Sequence, residues 1–154
     1  MKIVYSHSNI EGNVRDLYHK LEIREPHQID RFEISRKLNI DLQCSDKGSL
    51  AFRLDGLEFV ILNRNLTEQQ LHAEFFHELA HIRTHTGSQH RLPKFMKDYQ
   101  EWRAELFMLH CLAPTDMLIR DNLPGTEKEA LYLMCERYNI CEEHARKRYR
   151  MFFR

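Results

Sequence analysis

The sequence predicts an α+β fold, mostly helical, with one small three-stranded antiparallel sheet and a pair of helices at the C-terminus. Three observations carry that expectation. Apolar residues recur at the three-and-four spacing of amphipathic helices over most of the chain, and alternate with polar ones only from Ile40 to Leu62. Two capping boxes, Thr67-Glu68-Gln69-Gln70 and Thr126-Glu127-Lys128-Glu129, mark helix starts. Glycine and proline are scarce, at five and four in 154 residues, which leaves little room for long flexible linkers.

In chain order, Val14, Leu17, Tyr18 and Leu21 form the stripe of a first helix over residues 11–21. A second periodic segment follows Arg24-Glu25-Pro26 and carries Ile29, Phe32 and Leu38, with Pro26 near a tolerated helix start. Ile40, Leu42 and Cys44 then alternate with polar residues, as do Leu50, Phe52 and Leu54. The run Leu57 to Leu62 comes directly after Asp55-Gly56, a pair suited to the positive φ angles of a type I′ hairpin turn. Helix returns at the Thr67 box and is expected to reach about Thr84, with Leu71, Phe75, Leu79 and Ile82 along one face. A polar loop from Thr86 to Pro93 leads into a long helix ending at Pro114, in which Trp102, Leu106, Phe107 and Leu109 are read as core contacts. The Thr126 box opens a helix bearing Ala130, Leu131, Met134 and Tyr138. A turn at Asn139-Ile140-Cys141 then begins a last, basic helix.

Length and the 42% hydrophobic content point to one domain over residues 1–154, with residues 126–154 as a helix-turn-helix-like extension. The 23 Lys+Arg balance the 23 Asp+Glu, so no global field attracts nucleic acid or anionic lipid. That balance is uneven: residues 142–154 hold five Lys+Arg against two Asp+Glu, a local +3, and the remainder sums to −3. Cys44, Cys111, Cys135 and Cys141 form no C-x-x-C pair and are expected to be reduced and mostly buried. The N-terminus lacks a signal-peptide core, and no stretch is apolar for long enough to span a bilayer, so the expected location is cytoplasmic, without a membrane partner.

Histidine is in surplus, at ten residues. Two of them carry the chemistry. His77-Glu78-Leu79-Ala80-His81 is an H-E-x-x-H motif on the helix capped by Thr67, and a spacing of four puts both imidazoles on one face, where they can share a zinc ion. Glu78 is then placed to act as general base on the attacking water. A catalytic zinc needs a third protein ligand. A third His six residues past His81, preceded by a helix-ending Gly, is one known solution, but Thr84 and Gly87 stand at those positions. The other solution is a carboxylate on the next helix, where Glu101 and Glu105 are i,i+4 neighbours. Glu101 could ligate, and Glu105 could accept the second N–H of a ligating imidazole. An exposed charged face is the alternative reading of the same pair. His85, one turn past His81, could be a further ligand, an oxyanion donor or a surface residue, and is not counted as a ligand. Tyr99, Arg103 and His85 are each able to donate to a developing oxyanion.

The pattern resembles the ImmA/IrrE family of metallopeptidases. The likeness rests on His77 to His81, then Glu101, Ala104, Phe107, Leu112 and Pro114, which follow the family's E-x-x-A-x-x-F and Leu-Pro ending. It extends to Tyr18-His19-Lys20-Leu21-Glu22-Ile23 with Pro26, to Phe59–Leu62 with Asn63, and to the stretch from Tyr138 to Arg148, so it covers about residues 14–150. The resemblance implies a zincin-like domain with one Zn2+ per chain, held by His77, His81 and Glu101. It also implies a site-specific cytoplasmic endopeptidase that cleaves a helix-turn-helix repressor of a mobile element or stress response. Glu105 departs from the Asp or Asn common one turn beyond the glutamate ligand. The competing function is a non-catalytic regulator that binds a repressor or DNA through Arg146, Lys147, Arg148 and Arg150 of the last helix.

Overall fold

The computed structural model describes residues 8–84 and 92–153, with Ser8 and Thr84 described by backbone alone. Seven α-helices and three strands occupy these residues: α1 (Ser8–Lys20), α2 (Arg31–Leu38), β1 (Ile40–Ser45), β2 (Leu50–Leu54), β3 (Leu57–Asn63), α3 (Glu68–Thr84), α4 (Lys94–Leu112), α5 (Thr115–Asp121), α6 (Glu127–Tyr138) and α7 (Glu142–Phe152). They form two compact units, Arg31–Met108 and Met1–Asp30 with Leu109–Arg154. No described helix is long and apolar enough to cross a membrane.

The unit Arg31–Met108 is built on a sheet of order β1-β3-β2. Asp55 and Gly56 both have positive φ, as the type I′ turn requires, and β2 pairs antiparallel with β3 in the register Leu54↔Leu57. The sheet is mixed, however, because β1 pairs parallel with β3, in the register Ile40↔Glu58, and the wholly antiparallel expectation is corrected. The physical reason is burial. Strand β3 is the most apolar of the three, its Val60 and Leu62 are 0 and 1% exposed, and a strand of that composition takes the central place with a neighbour on each side. Helix α3 packs against β3 and β2, burying Phe75, Phe76, Leu79 and Ala80 completely. The Thr67 box forms as read: Gln70 N donates to Thr67 Oγ1 at 3.2 Å and Thr67 N donates to Gln70 Oε1 at 2.9 Å. Arg31 pairs with Glu68 at 2.6 Å in the first turn of α3. At the other end Arg53 donates to the Ile82 carbonyl at 2.6 Å, and Glu58 pairs with both Arg53 and Arg83. The helix is thus tied to the sheet at its last turn.

In the other unit, the segment after Arg24 is not one helix. Pro26–Gln28 is a short 3-10 turn, and α2 starts only at Arg31 in the neighbouring unit. The periodicity does not predict helix α5. Pro114 supplies its extended N-cap, and Met117 and Leu118 bury its inner side, but seven residues are too few to show a helical period. Asn122 and Asn139 end α5 and α6 in the left-handed conformation, which asparagine tolerates better than most residues. The Thr126 cap accepts from Glu129 N at 3.3 Å.

The basic helix α7 differs from its sequence reading in one important respect. Arg148 is completely buried, with Nε donating to the Ala113 carbonyl and Nη2 to Thr115 Oγ1, both at 2.8 Å. Arg146 pairs with Glu142, Lys147 with Glu143 and Arg150 with Glu127. Truncation by Arg148→Ala should destabilise the fold by about 3 kcal/mol, since it leaves a buried carbonyl and hydroxyl without their donor. Urea unfolding measures this, and a loss under about 0.5 kcal/mol, typical of a surface substitution, would contradict it.

Glu11 of α1 shares this unit's interior. It pairs with Arg15 at 3.2 Å, while its Oε2 has no hydrogen-bond partner among the described residues. Burial pushes its carboxyl above the ordinary 4.5, against the opposing pull of Arg148 and Arg15. A raised acid favours folding in its neutral form, so its contribution is full below 4.5 and is lost as pH rises through the folded value. The stability of the wild type relative to Glu11→Gln should therefore fall as pH rises above 4.5. Paired urea titrations across that window check the sign, and a rising difference would reverse the assignment.

All four cysteines are free; Cys111 is buried, Cys135 and Cys141 are half-buried and Cys44 is exposed, so the expectation of mostly buried thiols holds only in part.

Candidate metal centre

Helix α3 buries Phe75, Phe76, Leu79 and Ala80 against its own unit and turns a narrower, partly open line outward. On that line His77 and His81 stand one turn apart, with side chains 23 and 16% exposed. Their rings are 5.0 Å apart and steeply tilted. Glu101 reaches them from α4. Its Oε2 lies 3.0 Å from His77 Nε2 and its Oε1 lies 3.1 Å from His81 Nε2, and the two Nε2 atoms are 3.3 Å apart. One ligand atom from each residue falls within 4.8 Å of the others, the only such group of metal-binding side chains among the described residues.

These separations fit a shared ion. Tetrahedral zinc with ligands at about 2.0–2.2 Å has ligand-to-ligand edges of roughly 3.3–3.6 Å; the two Nε2 atoms, 3.3 Å apart, stand at such an edge, and each Glu101 oxygen lies about 3 Å from one of them. The donor set is two neutral nitrogens and one carboxylate oxygen, a combination suited to zinc that leaves a fourth position open.

Glu78 is only 8% exposed. Burial, reinforced by the carboxylates of Glu74 and Glu101 and by a hydrogen bond with Glu74, pushes its carboxyl up to about 7. Glu74 is the residue that sequence reasoning missed. Its signal was available, because it lies one turn before Glu78 on the same face of α3.

Glu105 is half-buried on α4, one turn beyond Glu101, and stands outside the three-residue group. Tyr99 and Arg103 engage one another: Arg103 Nη1 donates to the Tyr99 hydroxyl at 3.4 Å, and the guanidinium carbon lies 5.8 Å from the ring centroid. His85, His90 and His7 lie outside the described residues, as does most of the loop from Thr86. Leu106, Phe107 and Leu109 are buried as expected, but Trp102 is 47% exposed, which corrects its reading as a core contact.

The profile of the peptidase M78 family, described as the IrrE N-terminal-like domain, matches residues 36–150. The chain is 34% identical over 147 residues to the Phage-like element PBSX protein XkdA of Bacillus subtilis, covering 96% of this chain and 74% of that protein. It is 29% identical over 150 residues to the Uncharacterized protein YqaB of the same organism, covering 97% and 87%. The match runs through the whole sheet and both helices that bring His77, His81 and Glu101 together, and the chain therefore belongs to the IrrE N-terminal-like family of peptidase M78 proteins.

Proposed function

We propose that this protein is a zinc-dependent endopeptidase that cleaves a helix-turn-helix repressor at one site and so relieves repression in a mobile element or stress response. The observation that carries the reading is the convergence of His77, His81 and Glu101, with one ligand atom of each within 4.8 Å of the others, and the buried carboxyl of Glu78 on the helix of the two histidines. His77, His81 and Glu101 would hold one zinc ion. When bound, zinc polarises the scissile carbonyl and lowers the pKa of the attacking water towards about 7. Glu78 takes a proton from that water and delivers it to the leaving amine, a role suited to a carboxyl poised near neutrality. Glu105 steadies a ligating imidazole from one turn along α4.

Membership of a peptidase family supports the hydrolytic reading, and the likeness to a phage-like element protein supports a mobile-element setting. Repressor cleavage would take place in the cytoplasm, with the repressor as protein partner. Duplex DNA is the less favoured partner, because binding it through α7 would mean breaking the ion pairs of Arg146, Lys147 and Arg150 and exposing Arg148.

The test is incubation of the zinc-loaded protein with purified helix-turn-helix repressors of the same genome, starting with any encoded beside its gene, followed by intact-mass analysis. One new pair of termini is expected, lost with a chelator and restored by zinc. A repressor that stays whole under these conditions, while the protein holds zinc, would sink the proposal.

A further inference from the structure

Within the unit of Met1–Asp30 and Leu109–Arg154, α1, the turn after it and α5 line a cleft of about 300 Å³. Its inner wall is made by Val14, Tyr18, His110, Thr115 and Met117, none more than 6% exposed. Its rim carries exposed charged and polar groups, among them Arg15, His19, Arg24, Asp116 and Arg120. A packing defect is apolar throughout, whereas a buried apolar wall with a few convergent polar groups is the form of a small-ligand site.

Two features say what such a ligand carries. Glu11, 9% exposed, engages Arg15 through Oε1, but its buried Oε2 has no hydrogen-bond partner among the described residues. A buried acceptor in that position calls for an N–H or O–H donor. The second feature is a surplus cation. Arg15 is shared by Glu11 and Asp116, Arg120 pairs with Glu25, and the charge of buried Arg148 also acts on Glu11. Four arginines thus meet three carboxylates. The guanidinium left over is that of Arg24, which has no partner among the described residues, and neither has the imidazole of His19. A single surplus charge matches a carboxylate, which carries one negative charge, better than a phosphate, which carries nearly two at neutral pH.

The separation of the two features sets the length of the ligand. Glu11 and His19 are eight residues apart on α1, a rise of about 12 Å. Allowing for the lengths of the protein side chains, about two residues of extended chain bridge that distance.

We infer that this cleft binds the carboxylate end of a short peptide: Arg24 and His19 receive the terminal carboxylate, Glu11 accepts a backbone N–H about two residues upstream, and Val14 and Met117 pack on an apolar side chain between them. The cleft shares no residue with the His77–His81–Glu101 group, and its ligand is independent of the peptidase reading.

Isothermal titration calorimetry of the zinc-loaded protein tests this with acetyl-Ala-Leu, its C-terminal carboxamide, octanoate and adenosine monophosphate. The acid should bind saturably at one site per chain. The carboxamide lacks the charge and octanoate lacks the N–H groups, and each should bind at least about tenfold more weakly. Arg24 is exposed and its side chain pairs with nothing among the described residues, so Arg24→Gln should leave zinc content and circular dichroism unchanged. The same substitution should bring binding of the acid down to that of the carboxamide. No binding of the acid, the result if the cleft holds water only, would overturn the inference, as would equal binding of acid and carboxamide or of acid and octanoate. Full binding by Arg24→Gln would place the peptide elsewhere, the metal group included, and overturn it too. Tighter binding of adenosine monophosphate than of the acid would replace the carboxylate assignment with a phosphate one.

Discussion

Exchanging Glu78 for Gln is expected to leave metal binding intact and to slow the proposed repressor cleavage by about 10²–10⁴-fold, the usual contribution of a positioned general base. The amide keeps the volume and most of the hydrogen-bonding capacity of the carboxyl, so the packing of α3 is preserved. It cannot accept the proton of the attacking water. Glu78 is 8% exposed and lies outside the His77–His81–Glu101 group, so the ligand atoms are untouched. Metal analysis and single-turnover cleavage on the same preparation separate the two roles. Unchanged cleavage by the variant would remove Glu78 from the chemistry. Zinc lost along with cleavage would make it a structural support of the site instead.

The second large effect is linkage between zinc and folding. Glu101 lies 3.0 and 3.1 Å from the two imidazoles, which places all three side chains to share one ion. An ion bound by the folded state alone stabilises it by about 4 kcal/mol when free zinc exceeds its Kd a thousandfold. For a chain of this size that corresponds to a rise of roughly 10 °C in unfolding midpoint. Glu101→Ala should abolish most of this zinc-dependent rise, because two imidazoles alone make a weak site. Thermal unfolding with zinc and with chelator reads the effect directly. A Glu101→Ala protein whose midpoint still climbs with zinc as in the wild type would exclude Glu101 as a ligand.

Features that arise within a few residues were legible in the sequence. The Thr67 box, the Asp55-Gly56 turn, the stop at Pro114 and the one-face spacing of His77 and His81 all depend on local backbone geometry, and each took the expected form. What was misread depends on contacts distant in sequence. Alternation identified three strands but not their order, since an apolar strand reads the same beside a parallel or an antiparallel neighbour. The charge count of α7 treated Arg148 as one more surface cation, whereas partners 33 and 35 positions away draw it fully inside. Hydrophobicity alone predicts a buried Trp102, but the first half of α4 leaves that face open.

The metal site divides in the same way. The sequence by itself determined which side chains project together from one helix, because a spacing of four residues on α3 allows His77 and His81 hardly any other relation. It also narrowed the third ligand to a carboxylate of the following helix, without separating Glu101 or Glu105 from an ordinary charged face. Only the tertiary structure shows which of the two glutamates meets the imidazoles. The turn of α4 that faces α3 is set by the packing of its buried residues, and it brings the Glu101 oxygens to within about 3 Å of both imidazoles. The same packing buries Glu78 beside Glu74 and leaves Trp102 exposed. Burial and convergence between helices are properties of the assembled chain, and local spacing has no means of encoding them.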